Sequence, residues 1–262
     1  MSSGRPPSRL VQVTYADRRV ARSHVFPELA APDERISMHY NFWVLESADG
    51  LVVVDTGFPV SDSYWVADAD WRPVPETLDA LGIDPGDVGT VVLTHFHFDH
   101  AGHVDLFPRA TVFASAREHR AWAGAPAEEL ARSFVDPRHL EQVQRVEREG
   151  RLRLLADEPA EVTGGVTALP APGHTPGQLA ALVQTPSGPR LLASDAVHFS
   201  AQLELGWTFF AHSDRAQAGR SIADLQDVAR RTGALLVPGH EPRVREQFPA
   251  DPRAPGFVSV LG

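Results

Sequence analysis

The stretch Thr94-His95-Phe96-His97-Phe98-Asp99-His100-Ala101-Gly102-His103 decides how this chain is read. It places four histidines and one aspartate within nine positions, directly behind the apolar run Thr90-Val91-Val92-Leu93. That run is short and β-branched, and Asp84-Pro85-Gly86-Asp87-Val88-Gly89 ahead of it is a turn-rich break, so it reads as a buried strand. The histidines therefore stand where a central strand ends, on a loop that a rigid sheet positions. One histidine in a loop is ordinary surface chemistry. Imidazoles and a carboxylate packed this densely serve neither a core nor a turn, and together they suit zinc and neighbouring first-row metals.

The chain around this stretch has 262 residues, enough for one large α/β domain or two small ones. Apolar content of 43% and charged content of 22% are ordinary for a soluble globular protein. A net charge of -10 argues against nucleic acid as a partner, because phosphate binding needs a basic face. Cysteine is absent, so disulfides and thiolate sites are excluded and a metal must be held by nitrogen and oxygen. No run approaches the ~18 to 20 apolar residues of a membrane span. Met1-Ser2-Ser3-Gly4-Arg5-Pro6-Pro7 lacks the apolar centre of a secretory signal, so a cytoplasmic protein is expected.

On the N-terminal side of the histidine stretch, residues 1–9 read as a disordered tail and 10–15 as a strand. Residues 18–37, with Pro27 and Pro32, are expected to be an irregular loop. Residues 39–46 and 51–54 form a hairpin joined by Ser47-Ala48-Asp49-Gly50. Residues 61–71 read as a lid or packed loop, and 75–82 as a short helix with Pro near its start and Gly at its end.

On the C-terminal side, residues 110–114 form a strand and Ser115 caps a helix over 116–122. Two surface helices are expected between 126 and 149. Short strands follow at 152–155, 166–169, 179–183 and 191–193. A helix over 214–231 places Ile222, Leu225, Val228 and Ala229 on one face, and 234–237 is a last buried strand. No repeat or linker divides residues 10–262, which read as a single domain. Strands in both halves with helices between them suggest an α/β fold of two packed sheets with helices outside.

Three further donors follow the rule of the first cluster, each just past a short apolar strand and beside a turn former: His174 in Pro172-Gly173-His174-Thr175-Pro176-Gly177, Asp195 after Leu191-Leu192-Ala193-Ser194, and His240 after Val237-Pro238-Gly239. If these strand ends meet at one edge, the site gathers His95, His97, Asp99, His100, His174, Asp195 and His240. Seven donors exceed one tetrahedral ion but suit two ions ~3.5–4 Å apart, bridged by a carboxylate and a water. Two adjacent cations lower the pKa of that water, and chemistry of that kind is hydrolysis.

In this pattern the chain resembles the metallo-β-lactamase fold superfamily: His95-x-His97-x-Asp99-His100, then His174, then Asp195 21 positions on, then His240. Val54-Asp55-Thr56-Gly57 matches a strand end of that family. The resemblance implies an αβ/βα sandwich of two mixed sheets with helices on the outer faces and a dinuclear site at one edge. It assigns His95, His97 and His174 to one ion, Asp99, His100 and His240 to the other, Asp195 as the bridge, and Asp55 as a residue orienting a ligand. Within the superfamily, His97-Phe98-Asp99-His100-Ala101-Gly102 is most similar to the N-acyl homoserine lactonase and pyridoxolactonase group. The expected activity is therefore opening of a lactone or related ester of a small molecule, by attack of a metal-bridging hydroxide between two divalent ions, zinc by default. Asp99 would carry a proton to the leaving oxygen. Those homoserine lactonases have a tyrosine three residues after the bridging aspartate; here that place is His198, expected to stabilise the oxyanion instead.

Other readings remain on the same site: a thioesterase or phosphodiesterase, or a non-hydrolytic metal-binding relative. Class B β-lactamases lack the aspartate bridge, and flavodiiron members carry glutamate where this chain has His97. The expected partner is a small-molecule substrate, with no nucleic acid or membrane, in a monomer or homodimer. His103 is expected to be structural, and His24, His119, His139 and His212 to lie at the surface. Met38, Phe42, Trp43, Phe199, Trp207, Phe209 and Phe210 flank the site in sequence and are candidates for an apolar wall.

Overall fold

Strand alternation sets which residues meet between the layers. The structure, a computed structural model, describes residues 9–28, 34–47, 50–59, 66, 68–163 and 165–262. A first sheet contains β1 (Arg9–Ala21), β2 (Arg35–Ser47), β3 (Gly50–Val54), β4 (Asp70–Trp71), β5 (Val88–Val92), β6 (Thr111–Ser115) and β7 (Leu152–Leu155). The second contains β8 (Ala160–Thr163), β9 (Val166–Pro170), β10 (Leu179–Val183), β11 (Arg190–Ser194) and β12 (Leu235–Pro238), and β13 (Val258–Val260) returns to the first. The strand orders are β13-β1-β2-β3-β5-β6-β7, with β4 beside β1, and β12-β11-β10-β9-β8. The helices are α1 (Arg22–Val25), α2 (Val74–Ala80), α3 (Phe98–Ala101), α4 (Ala116–Trp122), α5 (Ala127–Arg132), α6 (Pro137–Arg148), α7 (Ser200–Leu205), α8 (Arg215–Thr232) and α9 (Val244–Gln247).

Because side chains on a strand point to alternate faces, Val52 and Val54 join Val92, Ala181, Val183, Leu192 and Val237 in the core shared by both sheets. Val53, Val91 and Val112 belong instead to the cluster that holds Leu140, Val143 and Val146 of α6. Leu191 and Ala193 pack with Leu225 of α8. The result is the expected αβ/βα sandwich. β3, β5, β6 and β7 run parallel, as do β11 and β12, and the remaining pairs are antiparallel. Val54 pairs with Val92 and Ser194 with Pro238, so each sheet ends a parallel pair at one level. The residues just beyond those four positions build the site. Crevices at the carboxyl ends of parallel strands are where open α/β sheets bind ligands.

Of residues 18–37, those at 18–25 and 35–37 depart from the expected loop, and 29–33 lie outside the described residues. β1 continues past a bulge between Thr14 and Ala16, and pairs with β2 as far as Ala21 opposite Arg35. Its charged residues hid the strand, but Val20, Met38 and Tyr40 are buried and supply the inward face of the extended hairpin. Strand β8, with no buried residue, is a polar edge strand that hydrophobic patterning does not reveal. Of residues 61–71, Asp70 and Trp71 form β4, while 61–65 and 67, like 1–8 of the expected tail, lie outside the described residues. Among the described residues, no helix is long and apolar enough to cross a membrane.

Candidate metal centre

Asp55 is the knot that ties the two sheet ends together. It follows β3 with a φ of 63°, a left-handed conformation that aspartate tolerates better than most side chains. Its fully buried carboxylate accepts from Thr94 N at 2.8 Å and from the Thr94 hydroxyl at 2.9 Å, both at the end of β5. It accepts from Ser194 Oγ at 3.2 Å, at the end of β11, and from His100 Nδ1 at 2.8 Å.

These bonds fix the imidazole tautomers. The Thr94 hydroxyl spends its proton on Asp55, so its oxygen accepts from His95 Nδ1 at 3.1 Å. His240 Nδ1 donates to the His39 carbonyl at 2.6 Å and His174 Nδ1 to the Ala211 carbonyl at 2.9 Å. In His95, His100, His174 and His240 the Nε2 lone pair is thereby left facing the common centre, the arrangement that metal-binding histidines require.

Backbone contacts hold the loops in place. Phe98 N donates to the Phe134 carbonyl, Tyr15 OH to the Asp99 carbonyl, and Thr56 N and Oγ1 to the His100 carbonyl, all between 2.7 and 2.9 Å. Glu118, buried on α4, accepts from Phe96 N at 3.1 Å, Trp122 Nε1 at 2.7 Å and Gly177 N at 2.8 Å. It thus joins the His95/His97 loop to the His174 loop. Burial pushes its carboxyl up, against the opposing pull of these donors. Gly173 has a φ of 134°, and a Cβ there would stand 2.2 Å from Ala218 N, so only glycine lets the His174 loop lie on α8.

Asp195 stands between the donors. Oδ2 lies 3.3 Å from His174 Nε2 and 3.8 Å from His95 Nε2, Oδ1 lies 3.3 Å from His100 Nε2, and His240 Nε2 sits 3.1 Å from Oδ1 and 3.2 Å from Oδ2. Asp99 Oδ2 is 3.4 Å from His100 Nε2, and His97 Nδ1 is 3.0 Å from His174 Nε2. Donor atoms of His95, His97, His174 and Asp195 lie within 4.8 Å of one another, and so do those of Asp99, His100 and His240. All seven residues singled out in the sequence are therefore buried and brought together as two groups with Asp195 between them.

Electrostatics favours the same reading. Burial drives the His95 and His97 imidazoles well below their usual range, reinforced by neighbouring histidines. Burial alone would raise the Asp195 carboxyl, but His240, His100 and His198 hold it well below the usual carboxylate range. Neutral imidazoles and an ionised carboxylate are the forms that bind metal, and His95, His97 and Asp195 take them. At His100 and His240, by contrast, burial is outweighed by the carboxylates of Asp99 and Asp195, which raise both imidazoles. His95 Nε2, His100 Nε2 and Asp195 Oδ1 are buried without any hydrogen-bond partner. Such orphans are costly unless something satisfies them, and they converge. The residues fit two divalent ions.

Above this floor opens a cavity of about 100 Å³ that reaches His97, Asp99, His174, Asp195 and His240. Its walls include Val20, Val25, Met38, Tyr40, Val66, Phe98, Phe134, Phe209 and Phe210. Of the expected aromatic wall, Phe209, Phe210 and also Met38 take part. Phe42 and Trp43 are core residues, and Trp207 packs on Phe26 beneath Arg22.

His198 does not reach this cavity. It is fully buried, with Phe209 stacked on it at 3.4 Å between centroids and 15° between planes, and it is not among the residues that line the cavity. Two surface expectations change. His139 is buried in α6 on the stripe shared with Val143 and Val146, a spacing the sequence displays, and half-buried His212 packs 6.1 Å from His174. His103 joins neither donor group. Sequence reading missed Glu118, Tyr15 and Tyr40, although Thr94 and Ser194, small hydroxyls just ahead of His95 and Asp195, were a readable sign of a supporting network.

A model of the metallo-beta-lactamase superfamily matches residues 38–240. The chain belongs to that superfamily. As a metallo-beta-lactamase superfamily member it is similar to N-acyl homoserine lactonase AttM of Azorhizobium caulinodans, with 32% identity over 76% of this chain and 74% of that one. It is also similar to an N-acyl homoserine lactonase of a Bacillus species, at 26% over 80% and 84%. Among solved structures, a quorum-quenching N-acyl homoserine lactone lactonase superposes with a TM-score of 0.75 at 23% identity, covering 92% of this chain and 95% of that one. A dizinc quorum-quenching lactonase superposes with a TM-score of 0.70 at 21%, covering 91% and 90%. These superpositions establish the fold of the superfamily member, and the family match together with its lactonase relatives makes it a metal-dependent hydrolase.

Proposed function

We propose that this protein opens a lactone, or a closely related ester, of a small molecule with an apolar substituent. The observation that carries this reading is Asp195, which stands within 3.3 Å of donors from both groups on the floor of an apolar pocket. The names of its relatives support the lactone as the reacting group.

In this reading His95, His97 and His174 would hold one ion and Asp99, His100 and His240 the other, with Asp195 serving both. When bound, the two ions, zinc by default, supply Lewis acidity and lower the pKa of a shared water. The chain supplies the rest. Asp99 lines the pocket beside His100 and passes a proton to the leaving oxygen. Tyr40, buried in the same wall and set edge-on to His240 at 5.2 Å, presents a phenol kept protonated by burial. It donates to the developing oxyanion, the part that the sequence suggested for His198. The aromatic and aliphatic wall takes the substituent and excludes water.

The test combines metal content with a panel of lactones, thioesters and phosphodiesters, for the wild type, Asp195→Ala and Tyr40→Phe. The expected result is about two ions per chain, with lactone opening abolished in Asp195→Ala. In Tyr40→Phe, turnover should fall ~10²-fold while metal content is kept. A folded wild type that binds no supplied metal would overturn the reading. So would a metal-loaded one that turns over only thioesters or phosphodiesters.

A further inference from the structure

Buried His198 is the polar side chain that the proposed reaction leaves without work. It is fully buried, and neither ring nitrogen has a hydrogen-bond partner. Its Nε2 lies 3.2 Å from Asp195 Oδ2 without the geometry of a hydrogen bond to it. Asp195, His198 and His240 each offer one donor atom within 4.8 Å of the others.

The backbone holds His198 beside His240. His240 N donates to the His198 carbonyl at 2.9 Å and Gly239 N to the Val197 carbonyl at 2.9 Å. The two imidazoles are near parallel, 14° apart with centroids 5.5 Å apart, and each Nε2 stands 3.2 Å from the same Asp195 oxygen. Donors ~2.0–2.1 Å from one ion in a tetrahedral arrangement are about 3.3 Å from each other. The spacing of His198 to Asp195 thus matches that of His174, His100 and His240 to the same carboxylate.

The geometry points to His198 as an eighth metal donor, joining through Nε2 the ion held by Asp195 and His240. This rests on the two-ion reading proposed above. It also gives the departure from the lactonase tyrosine a physical meaning. A neutral phenol at this place would face a substrate, whereas the imidazole turns inward to the metals. Gln202 fixes the turn, its Oε1 accepting from His198 N at 2.7 Å and Phe199 N at 3.1 Å. His198 Nδ1 lacks the acceptor that orients His100, His174 and His240, and the Phe209 stack holds the ring plane instead.

The first test needs no variant. Cobalt(II)-loaded wild-type protein is examined in water by proton NMR, where each ligating histidine contributes one strongly shifted, exchangeable N–H. His198 adds one such signal to those of His95, His97, His100, His174 and His240. The second test titrates apo-protein with cobalt(II), comparing wild type with His198→Phe, which keeps the stacked ring, and His198→Gln. Both variants should lose one shifted signal and bind the second ion at least 10-fold more weakly, with an altered visible spectrum. Two bound ions with no signal beyond the five would overturn this inference and leave the hydrolase reading standing. A wild type that binds no cobalt would overturn both.

Discussion

The floor and the wall of the pocket are held by different physics. The floor is a closed polar network in which nearly every supporting group has one permitted partner. Asp55 alone receives Thr94, Ser194 and His100, and Glu118 receives Phe96, Trp122 and Gly177. Displacing any of these leaves a buried donor without an acceptor. The wall is gathered from separate stretches, β1, α1, β2 and the segments around Phe98, Phe134 and Phe209, and is held by apolar contact. Phe210 in that wall is 42% exposed. Apolar contacts tolerate repacking of similar volume, whereas half-satisfied polar networks do not.

The harshest way to break that contrast is Asp55→Ala. Asp55 touches no substrate, yet its loss frees the His100 ring and leaves Thr94 N without an acceptor. Affinity for the metal pair should fall about 10- to 100-fold, the usual cost of losing a partner that orients a ligand. Competition with a chelator measures it. Full metal affinity in a folded Asp55→Ala would mean that the floor is no more tightly specified than the wall.

A milder and more local change is Glu118→Gln. The amide keeps one acceptor oxygen but turns an NH2 group on a backbone N–H, either Phe96 N or Gly177 N. The apo-protein should lose about 1–3 kcal/mol in denaturant unfolding. With metal supplied, the ion on His95, His97 and His174 should weaken while the one on Asp99, His100 and His240 is retained. Equal weakening of both sites would show that Glu118 serves only the overall fold.

The same division explains what the sequence discloses. Metal donors must converge on a point, so they sit just past strand ends beside turn formers, and a repeated local rule in the sequence reports a common edge in space. Asp55 also stands just past a strand end, and the family resemblance marked it as a residue that orients a ligand. Glu118 was not, because its partners are backbone amides 22 and 59 residues away, and one glutamate in a helix carries no mark of what it accepts. The β1–β2 hairpin beyond Asp17 was hidden by charge. Its inward residues, Val20, Met38 and Tyr40, lie too far apart along the chain to announce a common wall. His198 shows the limit from the other side: a family pattern marks the position, but only the stacking of Phe209 and the pairing with His240 show which way the ring turns.

The smallest effect should come from Phe210→Ala. Its ring rests on Phe209 at 4.7 Å and Phe134 at 6.0 Å, and it lines the pocket while remaining partly exposed. Removing it subtracts apolar area from a bound substituent without touching a metal donor. For an ester with a long apolar chain, KM should rise about 3- to 10-fold, the equivalent of roughly 1 kcal/mol of lost burial, with kcat and metal content unchanged. For a short-chain ester, which ends before the mouth, neither constant should move. Phe209→Ala is the contrasting control, because Phe209 belongs to the wall on one face and covers His198 on the other. If wall and floor are separable, only Phe209→Ala should alter metal binding as well as KM. Should Phe210→Ala also release metal, the two regions would be one mechanical unit and the contrast between them would fail.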